Sequence, residues 1–188
     1  MCGISGFLNR DRERAADEAL LRRMTEAIVI RAATAADAGI IARHRVAMFQ
    51  DMGTLPKELA QPLRDASQRM FAQAIPSGEY VGWIATPAGR PAEVIAGAGV
   101  HVRSRLPRVD RARARVDEGP QALIVNVYTE RPWRRRGVAE RLMRTVLDWT
   151  RARGIDDVVL HASPEGRALY ERLGFTPTNE MRYTKAEA

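Results

Sequence analysis

The sequence has few cysteines and histidines, and it has no long apolar run. One cysteine and three histidines occur among the 188 residues, so an intramolecular disulfide is excluded and no spaced metal-binding cluster is present. No stretch approaches the roughly 20 apolar residues that span a bilayer. The apolar stretch ISGFL is too short for a signal peptide, and the charged stretch NRDRER follows it at once. We therefore expect a cytoplasmic protein without a metal and without a membrane partner.

Aromatic residues are absent from the most basic part of the chain. The formal net charge is +7, which suits an anionic partner such as nucleic acid, a membrane surface or a phosphorylated cofactor. Six arginines lie within residues 103–115: Arg103, Arg105, Arg108, Arg111, Arg113 and Arg115. Proteins that bind nucleic-acid strands often interleave aromatic side chains for base stacking, and this cluster has none. A solvated loop is therefore favoured over a nucleic-acid interface, and we predict no nucleic-acid partner.

The hydrophobic pattern predicts one mixed domain. Strands are predicted at 29–34, 79–86, 92–102, 122–129, 157–162 and 181–184, and helices at 16–28, 34–53, 57–75, 138–153 and 164–174. The segment 79–102 is typical of an antiparallel hairpin, whereas the strand–helix–strand run at 122–162 requires a parallel pair. Residues 103–120 are predicted as a loop or a hairpin end. The expected architecture is an α/β (α+β) fold with a mixed central sheet and helices on both faces.

The most informative stretch is VNVYTERPWRRRGVAERLM, in which a strand leads through an arginine-rich loop into a helix. The first-turn amides of such a helix have no acceptor within the helix, and the helix dipole adds positive charge there. Gly137 has no Cβ, so an anion can approach the backbone closely. The stretch lacks the GxxxxGK[ST] and GxGxxG patterns of the common nucleotide loops. We predict that this helix N-terminus binds a diphosphate.

The pattern Arg134-x-x-Gly137-x-Ala139, followed some thirty residues later by ALYERLGF, resembles the acyl-CoA loop of the GNAT family of N-acetyltransferases. The resemblance covers residues 29–188. It implies a GNAT fold and acetyl-CoA as the cosubstrate. It also implies transfer of the acetyl group to a primary amine of a small molecule or peptide. The alternative is a non-catalytic module that binds acyl-CoA as a sensor or regulator.

The resemblance also implies roles for individual residues. The backbone of strand 122–129 would hydrogen-bond the pantetheine arm, and the amides of residues 135–140 would hold the pyrophosphate. The implied cofactor-binding residues are Val127, Tyr128, Thr129, Arg134, Arg135, Arg136, Gly137, Val138, Ala139, Glu140 and Ser163. Ser163 stands where the family often has a longer asparagine. Tyr170 matches the family tyrosine that protonates the departing thiolate.

The attacking amine must lose a proton, and the sequence offers two candidate bases. Glu130 follows the central strand and His161 follows the next strand, so both lie at strand ends where a substrate can reach them. Each has a structural alternative. Glu130 could instead pair with a neighbouring arginine, His161 could be a hydrogen-bonded structural histidine, and Tyr170 could be a core aromatic. The catalytic candidates are therefore Tyr170, Glu130 and His161.

The first 28 residues, MCGISGFLNRDRERAADEALLRRMTEAI, resemble the start of class II glutamine amidotransferases of the asparagine-synthetase type. In that family Cys2 would be the nucleophile. A nucleophile also needs a pocket and oxyanion donors, and these supply most of the rate. The chain passes instead directly into the acetyltransferase pattern. We predict a non-catalytic extension at 1–28 and an acetyltransferase domain at 29–188, with a homodimer as an expected assembly.

Overall fold

The computed structural model describes residues 27–110, 113–178, 180, 181 and 183. Cys2 and nearly all of the helix predicted at 16–28 lie outside these residues. Ile28 is described, and it begins a strand because the β-branched run at 28–30 pairs with a neighbouring strand. The strand predicted at 181–184 is described only at Met181 and Tyr183, which are not in a strand.

Within the described residues, five strands form the central sheet and two more pair separately. The strands are β1 (Ile28–Ala32), β2 (Tyr80–Pro87), β3 (Ala96–Arg103), β4 (Arg108–Asp110), β5 (Arg115–Asp117), β6 (Gln121–Thr129) and β7 (Asp157–Leu160). The central sheet has the order β1-β2-β3-β6-β7. All neighbours are antiparallel except β6 and β7, which are parallel. The predicted mixed sheet is therefore confirmed.

The α-helices of the described part of the chain cover the two faces of this sheet. They are α1 (Ala38–Asp51), α2 (Ala60–Ser77), α3 (Val138–Ala152) and α4 (Pro164–Arg172). On one face, α1 and α2 enclose a core that includes Phe71 and Ile84. On the other face, α3 packs Leu142 and Met143 against Trp83. Trp83 and Ile84 are adjacent in β2, so their side chains point to opposite faces, and the prediction of helices on both faces is confirmed.

Within 103–120, the strands β4 and β5 pair antiparallel, which agrees with the second of the two predicted alternatives. Arg113 and Arg115 each lie 2.8 Å from the Asp156 carboxylate, and Arg105 lies 2.6 Å from Asp117. Ion pairs therefore tie this basic segment to the start of β7. Within the described ranges, no helix is apolar and long enough to cross a membrane.

A β-bulge interrupts the pairing of β3 with β6. Gly97 pairs with Tyr128 and Gly99 with Val125, so Ala98 lies opposite two residues of β6. One of them, Asn126, has a φ of +56°, and asparagine tolerates this left-handed conformation better than most residues. The bulge shifts the alternation of side chains along β6 by one residue. As a result, the Tyr128 side chain faces α1.

Candidate functional site

The parallel strands β6 and β7 separate part-way along their length. Their pairing ends where Ile124 lies opposite Leu160, two residues earlier than the sequence predicts for the second strand. Beyond this point β6 continues to Thr129 and, among the residues that the structure describes, pairs only with β3 on its other edge. The backbone groups of β6 that face the split are left for a ligand that can pair like a strand.

The loop after β6 ends at Gly137, the N-cap of α3. Gly137 has a φ of +74°, and a Cβ added there would meet nothing within 4 Å. The backbone therefore favours glycine, and the space beside it is open. The first turn of α3 contains Val138, Ala139 and Glu140. The Glu140 carboxylate lies 2.7 Å from Arg144, which offsets its negative charge. The amide end of this 15-residue helix can therefore accept an anion.

The three predicted loop arginines have different contacts. Arg134 donates from Nε to the Thr129 carbonyl oxygen at 2.9 Å, and its terminal nitrogen contacts Asp51 at the end of α1. Arg136 lies over the Trp133 ring, 5.3 Å from its centroid. Arg135 is exposed and has a φ of +62°. Arg134 therefore fastens the loop to α1.

Asp51 connects α1 to this loop through two arginines. Its carboxylate also lies 2.6 Å from Arg131. Burial raises the pKa of Asp51, but hydrogen bonds from Arg134 and Arg131 outweigh it and hold the pKa below its usual value. The carboxylate therefore stays charged and keeps the loop in place at neutral pH.

Tyr170 lies on α4 and is half-buried against the core. Its ring contacts Phe175 edge-on, with the centroids 6.1 Å apart, and burial raises the pKa of its hydroxyl. A Cβ at Gly166 would lie 2.8 Å from this ring, so the glycine makes room for it. Ser163 caps α4, because its Oγ accepts a hydrogen bond from the Gly166 amide at 3.2 Å.

Glu130 has contacts on α1 that the sequence did not specify. Its Oε1 lies 2.8 Å from Arg43 and 3.4 Å from His44 Nε2. The approach of Arg43 is an ion contact without hydrogen-bond geometry, because Oε1 is buried and accepts no hydrogen bond. Burial, followed by the charge of Arg43, lowers the pKa of His44 to about 4. His44 is therefore neutral at physiological pH.

His161 lies just beyond the end of β7 and is exposed. Its Nε2 is 2.9 Å from the Glu180 carboxylate. Among the described residues, no hydrogen bond, ion pair or ring contact joins His161 to Glu130 or Tyr170. The geometry thus gives His161 an acidic partner, as the structural alternative requires.

Comparison with known proteins identifies the family. A model of the acetyltransferase (GNAT) family matches residues 42–175, which is more than half of the chain. The chain belongs to the GNAT family. As a member, it is an acyltransferase that uses acetyl-CoA as its cosubstrate for N-acetyl transfer to amines.

Individual relatives agree with this assignment. An aminoglycoside N(6')-acetyltransferase type 1 from Stenotrophomonas maltophilia is 26% identical over 163 residues, which are 85% of this chain and 94% of the relative. The crystal structure of a GCN5-related N-acetyltransferase from Ralstonia eutropha JMP134 matches with a TM-score of 0.74 and 28% identity, covering 86% of this chain and all of that one. A predicted acetyltransferase from Clostridium acetobutylicum, solved with acetyl-CoA, shares the fold with a TM-score of 0.70 and 24% identity, over 85% and 96% of the two chains.

In this GNAT acetyltransferase, sequence reasoning missed a polar network on the α1 side of β6. Arg45 Nη1 donates to Asn126 Oδ1 at 2.7 Å, and Asn126 Nδ2 donates to the Tyr80 hydroxyl at 3.4 Å. A Cβ at Gly99 would lie 2.0 Å from that hydroxyl, so the glycine is required for Tyr80 to cross the sheet. The available signals were an asparagine inside the apolar run ALIVNVYT and the glycines of AGAGV.

Proposed function

We propose that the chain transfers the acetyl group of acetyl-CoA to a primary amine of a small molecule or peptide at the split between β6 and β7. The observation that carries this proposal is the combination of an unpaired β6 edge at 125–129 with the open helix N-terminus at Gly137. A ligand with amide groups and a terminal diphosphate has the chemistry that both features bind.

The residues around the split fit such a ligand. Thr129 Oγ1 and Arg136 Nη1 are buried and have no hydrogen-bond partner among the described residues. Buried polar atoms are usually paired, and an unpaired one costs free energy. Both atoms flank the loop between β6 and α3, where an amide or phosphate oxygen would satisfy them.

We assign the parts of the cosubstrate to specific groups of this chain. The backbone of Val127, Tyr128 and Thr129 holds the pantetheine arm, and the amides of residues 135–140 hold the pyrophosphate. Acetyl-CoA supplies the activated acyl group as a thioester. Arg134 acts by positioning the loop through Thr129 and Asp51. A contact of Ser163 with the cosubstrate stays a prediction, because its Oγ is used as the cap of α4.

Proton handling falls to Tyr170 and Glu130. Because burial raises its pKa, Tyr170 holds its proton at neutral pH and can donate it to the thiolate. Glu130 places its carboxyl group beside neutral His44 and is the better-supported base. His161 remains a predicted base with less support, since it is exposed and paired with Glu180.

The proposal is tested by measuring release of the CoA thiol from acetyl-CoA with a panel of primary amines. Tyr170→Phe is expected to lower kcat about 100-fold, in the range for a lost general acid, with the KM for acetyl-CoA unchanged. Its folding should be unaffected, because the Tyr170 hydroxyl has no hydrogen-bond partner among the described residues. Tight binding of CoA without thiol release from any amine would instead support the sensor alternative.

Several further predictions accompany this function. The extension at 1–28, with Cys2, is proposed to have no glutaminase activity and to precede the acetyltransferase domain at 29–188. A cytoplasmic location, a homodimer, and the absence of nucleic-acid or membrane partners stay predictions. The ion pairs of the basic segment support the absence of a nucleic-acid site, since Arg105, Arg113 and Arg115 have carboxylate partners at Asp117 or Asp156.

A further inference from the structure

The acceptor must approach the transferred acetyl group near the closed end of the split. In the proposed function, the diphosphate lies at the N-terminus of α3 and the pantetheine arm runs back along β6. The arm therefore ends near Val125 and Asn126, where pairing with β7 stops. Asn126 directs its side chain to the α1 side of the sheet, towards Arg45. That side is where an acceptor amine can meet the acetyl group.

Arg45 is the unusual group on this side. It is half-buried, and its guanidinium lies 5.0 Å from the centroid of the Phe49 ring. Its polar contact is the neutral amide oxygen of Asn126. Within the part of the chain that the structure describes, no carboxylate lies within ion-pair distance of it. Burial lowers its pKa, which agrees with a cation that has lost water without gaining an acidic partner.

The neighbouring cations differ from Arg45 in this respect. Arg43 contacts Glu130, and Arg131 and Arg134 both contact Asp51. These four arginines and two carboxylates leave an excess of positive charge around the end of β6. A half-buried guanidinium without a carboxylate is an efficient site for a carboxylate or phosphate, which it can bind through two parallel hydrogen bonds.

We propose that Arg45 binds an anionic group of the acceptor, so that the natural acceptor carries both a primary amine and a carboxylate or phosphate. This inference rests on the proposed acetyl transfer and narrows its substrate class. A polycationic acceptor such as an aminoglycoside would meet like charge here, which disfavours binding. The relative from Stenotrophomonas maltophilia is named for that other acceptor class, so the two enzymes should differ in specificity.

The test compares matched amines in the CoA-release assay. The pairs are L-amino acids against their carboxamides, phosphoethanolamine against ethanolamine, and kanamycin as the polycation. We expect kcat/KM to be about 10- to 100-fold higher for an anionic member than for its neutral partner, the size of one charged hydrogen-bonded contact. The first pair tests whether a carboxylate is recognised, and the second pair tests whether a phosphate is recognised. Equal or better turnover of the carboxamides, ethanolamine and kanamycin would overturn the inference and leave the proposed function standing.

The variant Arg45→Gln tests whether Arg45 recognises the anionic group of the acceptor or only stabilises the bulge at Asn126. Recognition predicts that this variant raises the KM for the anionic amine and removes the preference over its neutral partner, while kcat and the KM for acetyl-CoA stay the same. An equal loss for both members of a pair would indicate a structural role and contradict the inference. Arg151→Gln is the matched control, because it removes an exposed charge from α3 on the opposite face.

Binding gives a readout that does not need turnover. Calorimetry with the CoA-saturated full chain should detect the anionic amine more tightly than its neutral partner, and Arg45→Gln should abolish the difference. If no amine releases CoA thiol, the proposed function fails, yet this binding preference would still support an anion site at Arg45. Absence of the preference in calorimetry would overturn the inference itself.

Discussion

The two sides of β6 differ in whether backbone or side-chain groups face a ligand. The side at the split is a backbone site, made of an unpaired strand edge and the helix N-terminus at Gly137. The α1 side is a side-chain site, in which Arg45, Asn126 and Tyr80 meet across sequence separations of 81 and 46 residues. A backbone site depends on local conformation, whereas a side-chain site depends on packing of distant elements. The first should therefore tolerate changes in the core, and the second should not.

The largest expected effect is on the side-chain site, from Gly99→Ala. The new Cβ would lie 2.0 Å from the Tyr80 hydroxyl and 2.2 Å from its Cζ. Tyr80 is buried, so its ring cannot move aside into solvent. We expect a loss of about 3 kcal/mol in the free energy of unfolding, as for a strongly overpacked core. Urea denaturation measures it.

A second glycine provides the control for this variant. Gly39 lies in α1, and its added Cβ would make only ordinary contacts with Gln68 at 3.8 Å. Gly39→Ala should be neutral or stabilise the fold by up to about 1 kcal/mol, because alanine favours a helix over glycine. If Gly99→Ala unfolded at the same urea concentration as the unmodified chain, the Tyr80 ring would be able to move aside, and the side-chain site would tolerate changes in the core.

The next effect is on the backbone site, from Gly137→Ala. Its φ of +74° makes alanine strained by about 1 kcal/mol, and the methyl group would point into the space where an anion approaches the first-turn amides. We expect the KM for acetyl-CoA to rise about 30-fold, which corresponds to the loss of roughly one charged hydrogen bond. Initial rates at varied acetyl-CoA concentration measure it.

Gly154→Ala is the matched control for Gly137→Ala. Gly154 follows α3 at its other end, has a φ of +64°, and also has open space around it. Both variants should lose a similar free energy of unfolding, but only Gly137→Ala should weaken acetyl-CoA binding. A similar rise in KM for both would mean that the effect comes from helix strain, and the anion site at α3 would have to be abandoned.

The same contrast explains how much could be predicted from the sequence. The strand–loop–helix pattern around Gly137 is local, so its place and open geometry were predictable, as were the mixed sheet and the helices on both faces. The bulge at Asn126 was not predicted, because it depends on the register between β3 and β6. The contacts of Arg45 with Asn126 and of Glu130 with Arg43 were missed for the same reason, since periodicity within one segment does not report which distant side chains meet.

The smallest effect concerns how α1 is anchored beside the side-chain site, and it depends on pH. Asp37 accepts hydrogen bonds from Arg31 at 2.8 Å and from the Thr34 amide at 2.8 Å. The Arg31 hydrogen bonds are the main cause that lowers the pKa of Asp37 from 3.8 to about 2. A depressed pKa stabilises the fold above the unfolded value, and this stabilisation is lost as the pH falls from about 4 towards 2.

Asp37→Asn should therefore cost about 1–2 kcal/mol at pH 7, with a discount for the half-exposed Arg31. The difference from the unmodified chain should persist down to pH 5 and shrink at pH 3, as shown by urea denaturation at each pH. Asp148→Asn is the control, because Asp148 is exposed and pairs with Arg151 one turn away, and it should change stability by less than about 0.5 kcal/mol. A pH-independent difference for Asp37→Asn would mean that the geometry of the hydrogen bonds at Asp37, and not its charge, anchors α1. The position of the side-chain site would then depend on packing and not on this ion pair.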